Sequence, residues 1–332
     1  MKIFLNILFL IIGFVSLIFG ANYFVEGATA VAKKLKVPTI IIGLTIVAIG
    51  TSLPELAVSV TSAINGSADL SVGNVVGSNL SNMLLILGIV AIITPVTIQK
   101  GSKHFDLPFM MISTGLLLFF AADNQLFNKP SLIARWEAII LFVFFIAYMV
   151  IQILMARNKN EYKDVKVKTS PDEPRPQSRK RMKTWKVILF LVGGLAGVVF
   201  GGECVSRTSK FLAMAAGMSE ALVGVTIVAL GTSLPELVTS VVAAKKGQTD
   251  LAVGNVVGSN IMNIVLIIGI AGIIAPIGIS GIMVTDMLIL AVTSIVFSII
   301  CYTENRINRM EGIMLVILYF GYMAFAIVRN YA

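Results

Sequence analysis

The sequence predicts an all-α, polytopic membrane protein of ten transmembrane helices, arranged as two inverted five-helix repeats. Two observations carry that prediction. The 332-residue chain is 57% hydrophobic and only 13% charged, with a mean hydropathy of +0.93, whereas soluble domains carry about 25% charged residues. The second observation is that the chain is written twice. A constant shift of 181 residues superposes Gly50 on Gly231, Pro54 on Pro235, Glu55 on Glu236 and Asp69 on Asp250. The same shift lays Val72–Asn79 on Val253–Asn260, Asn82 on Asn263, Gly88 on Gly269 and Pro95 on Pro276, with no gap. This is an internal duplication.

Spans of about 20 apolar residues divide the first half near 3–32, 38–64, 70–96, 105–122 and 132–156. The second half divides near 186–212, 219–245, 251–276, 282–301 and 310–329. The first apolar run is too long for a signal-peptide core of about 7–15 residues. Five spans is an odd number, so the second half must enter the membrane from the opposite side, and the two motif regions meet near the midplane. The organisation is therefore a first repeat over 1–156, a basic linker over 157–185 and an inverted repeat over 186–332.

The linker holds most of the net charge of +9. From Arg157 to Lys186 there are 11 Lys/Arg against 4 Asp/Glu, a net +7, together with Pro171, Pro174 and Pro176. Such a stretch reads as a flexible tether. The concentration of charge in one loop gives no nucleic-acid signature. With ten spans, one side of the membrane receives 20 Lys/Arg and the other 6. The positive-inside rule then places the loop in the cytoplasm and both termini outside a cell membrane. The two cysteines, Cys204 and Cys301, imply no disulfide framework.

The chemistry gathers in the repeated segment G-T-S-L-P-E-L, at Gly50–Leu56 and Gly231–Leu237. A carboxylate at membrane depth costs about 2.5–3.5 kcal/mol on insertion scales, so a matched pair, Glu55 and Glu236, marks a site. Thr51, Ser52 and Glu55 share a helix face by spacing. Pro54 removes a backbone donor and Gly50 lets the turn open, so carbonyls of Ala48 and Thr51 are expected to lose their helical partners. Irregular backbone at this depth survives where it is buried or lines a wet cavity. Ala229, Thr232, Ser233 and Glu236 offer the same set from the other half. Ser78 and Asn82, and Ser259 and Asn263, stand four apart and add a hydroxyl and an amide each. Gly73, Gly77, Gly254 and Gly258 allow close helix approach.

All of these ligands are oxygens. The single histidine, His104, is predicted in a loop and neither cysteine falls in a motif, whereas zinc, copper or iron sites favour imidazole or thiolate. The donor set suits Ca²⁺, Na⁺, Mg²⁺ or K⁺. Two carboxylates neutralise one Ca²⁺, and Mg²⁺ sheds its waters reluctantly, which favours Ca²⁺ and Na⁺. A buried glutamate can instead anchor helices, and membrane Ser and Thr ordinarily bond back to the preceding turn; repetition in both halves favours a site. Asp69 and Asp250 read as first-turn or capping acids, and Glu203 with Arg207 as an ion pair. Glu26, Asp106, Glu137, Asp286 and Glu311 read as solvated residues near span ends. Gly13, Gly20 and Gly27 read as a packing seam, or a face on which a helix slides.

G-T-S-L-P-E paired with G-N-V-V-G-S-N, in two inverted halves, resembles the α-repeats of the cation/calcium exchanger superfamily, most closely a prokaryotic or archaeal sodium/calcium exchanger. The resemblance spans nearly all of the chain except the linker. It implies a ten-helix fold whose second, third, seventh and eighth helices form an ion-binding core, with the long first and sixth helices sliding across it. It implies that Glu55 and Glu236 chelate Ca²⁺ with the carbonyls of Thr51 and Thr232. It also implies that the hydroxyls of Thr51, Ser52, Ser78, Thr232, Ser233 and Ser259, with the carbonyls of Ala48 and Ala229, serve Na⁺. Relatives in the potassium-dependent branch carry Asp at the position of Asn263; amides at Asn82 and Asn263 leave two negative charges at the centre and argue against potassium dependence. The paired Thr-Ser favours Na⁺ coupling over proton coupling.

The expected function is a sodium/calcium antiporter, not an enzyme, that uses the Na⁺ gradient to extrude Ca²⁺ by alternating access. It needs no cofactor, and its partners are the transported Ca²⁺ and Na⁺ and the lipid bilayer, with no nucleic acid and no obligatory protein partner. Ca²⁺/H⁺ exchange on the same glutamates is the alternative within transport. An ion channel conducts without a counter-ion, and an intramembrane enzyme lacks a nucleophile–base pair here.

Overall fold

The computed structural model describes residues 2–122, 131–157, 182–217, 229–303 and 306–331. Nearly all of them are helical. In chain order the helices are α1 (Lys2–Leu35), α2 (Thr39–Thr51), α3 (Leu53–Ile64), α4 (Ala68–Ile93), α5 (Ser102–Ala121), α6 (Arg135–Arg157) and α7 (Thr184–Ala215). They continue with α8 (Ala229–Thr232), α9 (Leu234–Lys245), α10 (Thr249–Ile274), α11 (Gly281–Thr303) and α12 (Arg309–Tyr331). Among the described residues, eight helices are long and apolar enough to cross a membrane, and α2 with α3 makes a ninth span bent by 47°. The segment 218–228, which would complete a span with α8 and α9, lies outside the described residues, as does most of the basic linker.

Hydropathy alone does not separate inner from outer helices, but burial does. In the most apolar stretches of α4 and α10, 78% and 83% of residues are buried, against 17% in α1, 22% in α6 and 28% in α7 and α12. Both α4 and α10 carry small and amide residues on several sides and are enclosed by other helices. The outer helices turn Leu, Ile, Val and Phe outward, where lipid supplies the apolar contact.

The outer pair, α1 and α7, packs antiparallel along a glycine seam. A Cβ on Gly13 would lie 2.9 Å from the Val205 side chain, on Gly20 2.6 Å from Val198 N, and on Gly27 2.8 Å from Leu191 N. Only hydrogen fits there, so the two backbones touch, as small residues allow in membranes. The central helix α10 meets α2 in the same way: a Cβ on Gly258 would lie 2.8 Å from both the Leu44 backbone and the Ala48 side chain.

The fold is almost entirely helical, with one small addition that the spans do not announce. Four two-residue strands close the helix ends: β1 (Val96–Thr97) pairs with β4 (Arg306–Ile307), and β2 (Leu132–Ile133) with β3 (Ile277–Gly278), both antiparallel. Pro95 and Pro276 stop α4 and α10, and the extended residues that follow pair across the halves. The third span therefore ends at Ile93, short of the predicted 96.

Three of the five acids read as solvated are buried. Asp106 accepts hydrogen bonds from Gln152 Nε2 (2.6 Å) and Tyr148 Oη (3.2 Å). Asp286 binds both terminal nitrogens of Arg329 at 2.9 and 2.8 Å. Glu137 caps the start of α6 through the Ala134 N–H at 2.7 Å. Glu311 caps α12 through the Asn308 N–H at 2.7 Å, with Asn308 Oδ1 accepting from the Glu311 N–H in return, a reciprocal capping box. Glu137 and Glu311 find a donor within their own helix start, Asp106 and Asp286 on another helix, and the position of a residue in its span reveals neither. His104 lies in a π-helical first turn of α5, Ser102–Asp106, not in a loop. Glu203 and Arg207 pair on α7.

Candidate cation site

The site begins where α2 stops and α3 starts. Ser52 has φ −84° and ψ 8°, and its counterpart Ser233 has φ −84° and ψ 2°. Both sit in the bridge region rather than the helical one, so the chain breaks at the same residue in each half. The cause is local. Pro54 has no N–H for the Gly50 carbonyl, and Pro235 none for Gly231. Across the first break the ladder keeps Ser52 N–H to Ala48 O (3.1 Å) and Leu56 N–H to Ser52 O (3.0 Å). Among the described residues, no rung runs from Glu55 N–H to the Thr51 carbonyl. The Thr51 carbonyl is freed as expected. The Ala48 carbonyl is not, because the bend falls one turn later and Ser52 still reaches it.

Directly after the break, Glu55 and Glu236 are each 1% exposed. They share one centre. Ser52, from the first half, donates to Glu236 Oε1 of the second at 3.1 Å. Glu55 has Glu236 and Ser78 in its electrostatic surroundings, and Glu236 has Thr51, Ser52 and Ser259. Ser233 reaches across to Ser78, 3.3 Å between hydroxyl oxygens. Thr51, Thr232, Ser78, Ser259, Asn82 and Asn263 are all buried. Ala48 lies buried on the last turn of α2, and Ala229 opens α8. Ser52, Ser78 and Ser233 thus link the two carboxylates' surroundings across the halves, with Thr51 and Ser259 beside Glu236.

Several of their oxygens have no hydrogen-bond donor among the described residues: Glu55 Oε2, Glu236 Oε2, Ser259 Oγ, Asn82 Oδ1 and Asn263 Oδ1. A buried polar atom left unpaired costs about 1–3 kcal/mol, more if charged. Five such oxygens, two of them on the carboxylates themselves, leave this part of the core short of positive charge. Among the described residues, no three of His, Cys, Asp and Glu gather in one place. Two carboxylates amid neutral hydroxyl, amide and carbonyl oxygens suit a hard cation.

π-helical turns begin at Ser81 in α4 and Asn263 in α10, one position apart under the 181-residue shift. Near their starts amides bridge the halves: Asn263 Nδ2 donates to Asn79 Oδ1 at 3.0 Å, and Asn79 Nδ2 to the Asn260 carbonyl at 3.3 Å. Asn79 and Asn260 are counterparts under the 181-residue shift, so this bond lies where the halves meet.

Two further residues were missed in the sequence. Asn74 Nδ2 donates to the Glu55 carbonyl (3.2 Å) and Ser59 Oγ (2.9 Å), while its Oδ1 accepts from Thr232 (3.3 Å). Its counterpart Asn255 donates to the Glu236 carbonyl (3.5 Å) and Ser240 Oγ (3.0 Å) and accepts from Thr51 (3.0 Å). These bonds come in exchanged pairs, as a two-fold relation between the halves requires. The signal was present in the repeated G-N-V-V-G-S-N, but spacing to the serine drew attention away from its first asparagine.

The sodium/calcium exchanger protein family model matches residues 5–154 and 186–328, both sides of the linker. The chain belongs to this family. Among its relatives, the sodium/calcium exchanger MaX1 of Methanosarcina acetivorans is 34% identical over 341 residues, covering 96% of this chain and 97% of that one. The putative antiporter CaxA of Alkalimonas amylolytica is 34% identical over 320 residues, covering 95% and 96%. A solved structure of the sodium-calcium exchanger NCX_Mj, soaked with 10 mM Na⁺, superposes with a TM-score of 0.80 at 27% identity, covering 97% of this chain and 99% of that one. As a family member, the chain is a multi-pass membrane protein of a transporter class.

Proposed function

We propose that this chain is a sodium/calcium antiporter in which the Na⁺ gradient drives Ca²⁺ out of the cell. Glu55 and Glu236 chelate one Ca²⁺ together with the carbonyls of Thr51 and Thr232. The hydroxyls of Thr51, Ser52, Ser78, Thr232, Ser233 and Ser259, the amides of Asn82 and Asn263 and the carbonyls of Ala48 and Ala229 form overlapping Na⁺ positions. Ca²⁺ and Na⁺ compete because both need the same two carboxylates. The halves, 1–156 and 186–332, are five-span repeats of opposite orientation, with the 157–185 linker in the cytoplasm and both termini outside. The core opens alternately to each face as α1 and α7 move across it.

One observation carries this reading: Ser52 of one half binds the carboxylate of the other, and both carboxylates keep an unpaired oxygen at the shared centre. The paired bridge-region serines support equivalent roles for the halves. Family membership supports the ion pair Na⁺ and Ca²⁺.

The test is ⁴⁵Ca²⁺ uptake into proteoliposomes under imposed Na⁺, K⁺ or pH gradients. Uptake driven by internal Na⁺ at clamped equal pH is expected. Uptake that follows a pH gradient and ignores Na⁺ assigns proton exchange instead, and single-channel current without counter-ion movement assigns a channel.

A further inference from the structure

We propose that Asn74 and Asn255 are positioning residues that set the Na⁺ affinity of the opposite half, an inference that rests on the antiport reading above. The argument is a count of protons. The Thr51 hydroxyl has one hydrogen, lies beside the Glu236 carboxylate, and has three further acceptors in reach: Val47 O at 3.1 Å, Ala48 O at 3.4 Å and Asn255 Oδ1 at 3.0 Å. A threonine in an ordinary membrane helix gives its proton to the preceding turn. Here the nearest of the three is an amide of the other half. With the proton turned to Asn255, the direction of the hydroxyl's two lone pairs is set by the other half instead of by its own helix.

The asparagine is in turn fixed. Both Nδ2 hydrogens of Asn255 are used, on the Glu236 carbonyl (3.5 Å) and Ser240 Oγ (3.0 Å), so its Oδ1 has one orientation. Asn255 is fully buried, and Ser240 likewise. Asn74 repeats the arrangement with Glu55, Ser59 and Thr232. Each amide therefore ties the backbone of its own half's glutamate to the hydroxyl of the other half's threonine. Neither asparagine need touch an ion to do so.

Removing the amide returns the threonine proton to its own helix and turns the lone pairs away. The threonine carbonyl, which serves Ca²⁺ in the proposed scheme, is backbone and keeps its place. Na⁺ binding should suffer more than Ca²⁺ binding.

The experiment measures half-saturation for Na⁺ and for Ca²⁺, and maximal flux per chain, in proteoliposomes of wild type, N74A, N255A and S240A. The expected result for N74A and N255A is a rise of about tenfold in the Na⁺ half-saturation, the equivalent of one buried hydrogen bond. The Ca²⁺ half-saturation should move less than about threefold. S240A, which removes one anchor and leaves the threonine bond, should lower thermal stability with the Na⁺/Ca²⁺ ratio held. A purely structural role predicts a loss of maximal flux with both half-saturations unchanged or moved together, and that result overturns the proposal. If N74A or N255A yields no folded protein, N74S and N255S give the same readout with a smaller cavity. Wild-type protein with no Na⁺-dependent Ca²⁺ flux overturns the antiport reading and this one with it. Wild-type exchange with an unmoved ratio in the variants overturns this one alone.

Discussion

Glu55 and Glu236 show what a buried carboxylate costs and what it is kept for. Each is enclosed by protein at membrane depth with one oxygen unpaired. An unpaired buried charge is costly to keep, so a neutral isostere in its place need not lose stability. The expected outcome for E55Q and E236Q in detergent is therefore an apparent melting temperature equal to or above wild type. The second half of the prediction is linkage. Ca²⁺ at a hundredfold excess over its Kd stabilises the native state by about 2.7 kcal/mol, so wild type should melt higher with Ca²⁺ and neither variant should. A Ca²⁺-dependent rise that survives in both contradicts the assignment. At this scale the sequence was highly legible for the carboxylates, because a repeated acid in an apolar span has few bland explanations. It was less legible for Asn74, Asn255, Asp106 and Asp286, whose meaning lies in partners roughly 20 to 200 residues away. The Ala48 carbonyl keeps its helical partner, against expectation, because the position of a helix break within a turn depends on backbone angles that Pro54 alone does not fix.

At the scale of elements, the α1–α7 seam gives a sharp contrast between neighbours in sequence. A Cβ on Gly194 would run into the Phe24 backbone, whereas one on Gly193 meets nothing within 4 Å. Backbone cannot yield as a side-chain tip can, and overpacking costs about 1–3 kcal/mol or more. G194V should lower the melting temperature or the yield of folded protein markedly, and G193V should leave both near wild type; equal effects would show that the backbones do not touch there. The helix starts offer a second test. E137A removes the bond to the Ala134 N–H, and should cost about 0.5–2 kcal/mol, the usual worth of an N-terminal cap. Thermal unfolding of the detergent-solubilised protein reads it. The spans that lie among the described residues were legible to within about three residues at each end, because about 20 apolar residues bounded by Pro, Gly or charge leave little freedom. The strand ladders were not: β1 and β4 are two residues each and pair across more than half of the chain, so no local pattern announces them.

For the whole molecule, departures from the two-fold relation matter more than its repetition. Lys246, at the end of α9, donates to Glu26 Oε1 (3.1 Å) and the Asn22 carbonyl (2.8 Å) on α1. Under the 181-residue shift Glu26 corresponds to Arg207 and Lys246 to Asn65, and Arg207 pairs instead with Glu203 on its own helix. The tie between the first outer helix and the core of the other half thus has no counterpart among the described residues. If the halves exchange shapes as the site changes face, a tie without a counterpart favours one face. A partly exposed pair is worth about 0–1 kcal/mol, up to about fivefold in an equilibrium. K246Q should shift the ratio of forward to reverse half-saturation by no more than that, and the shift should fade in wild type as ionic strength rises. An unchanged ratio at low salt would show that the pair is neutral between the two faces.

The central claim is that two carboxylates from opposite halves hold one Ca²⁺ between them. Equilibrium ⁴⁵Ca²⁺ binding to the purified full chain tests it most directly. The account predicts one Ca²⁺ per chain in wild type, displaced competitively by Na⁺, and no measurable binding in E55Q or in E236Q alone. Two independent Ca²⁺ per chain, or one that persists undiminished when either glutamate is replaced, would contradict it.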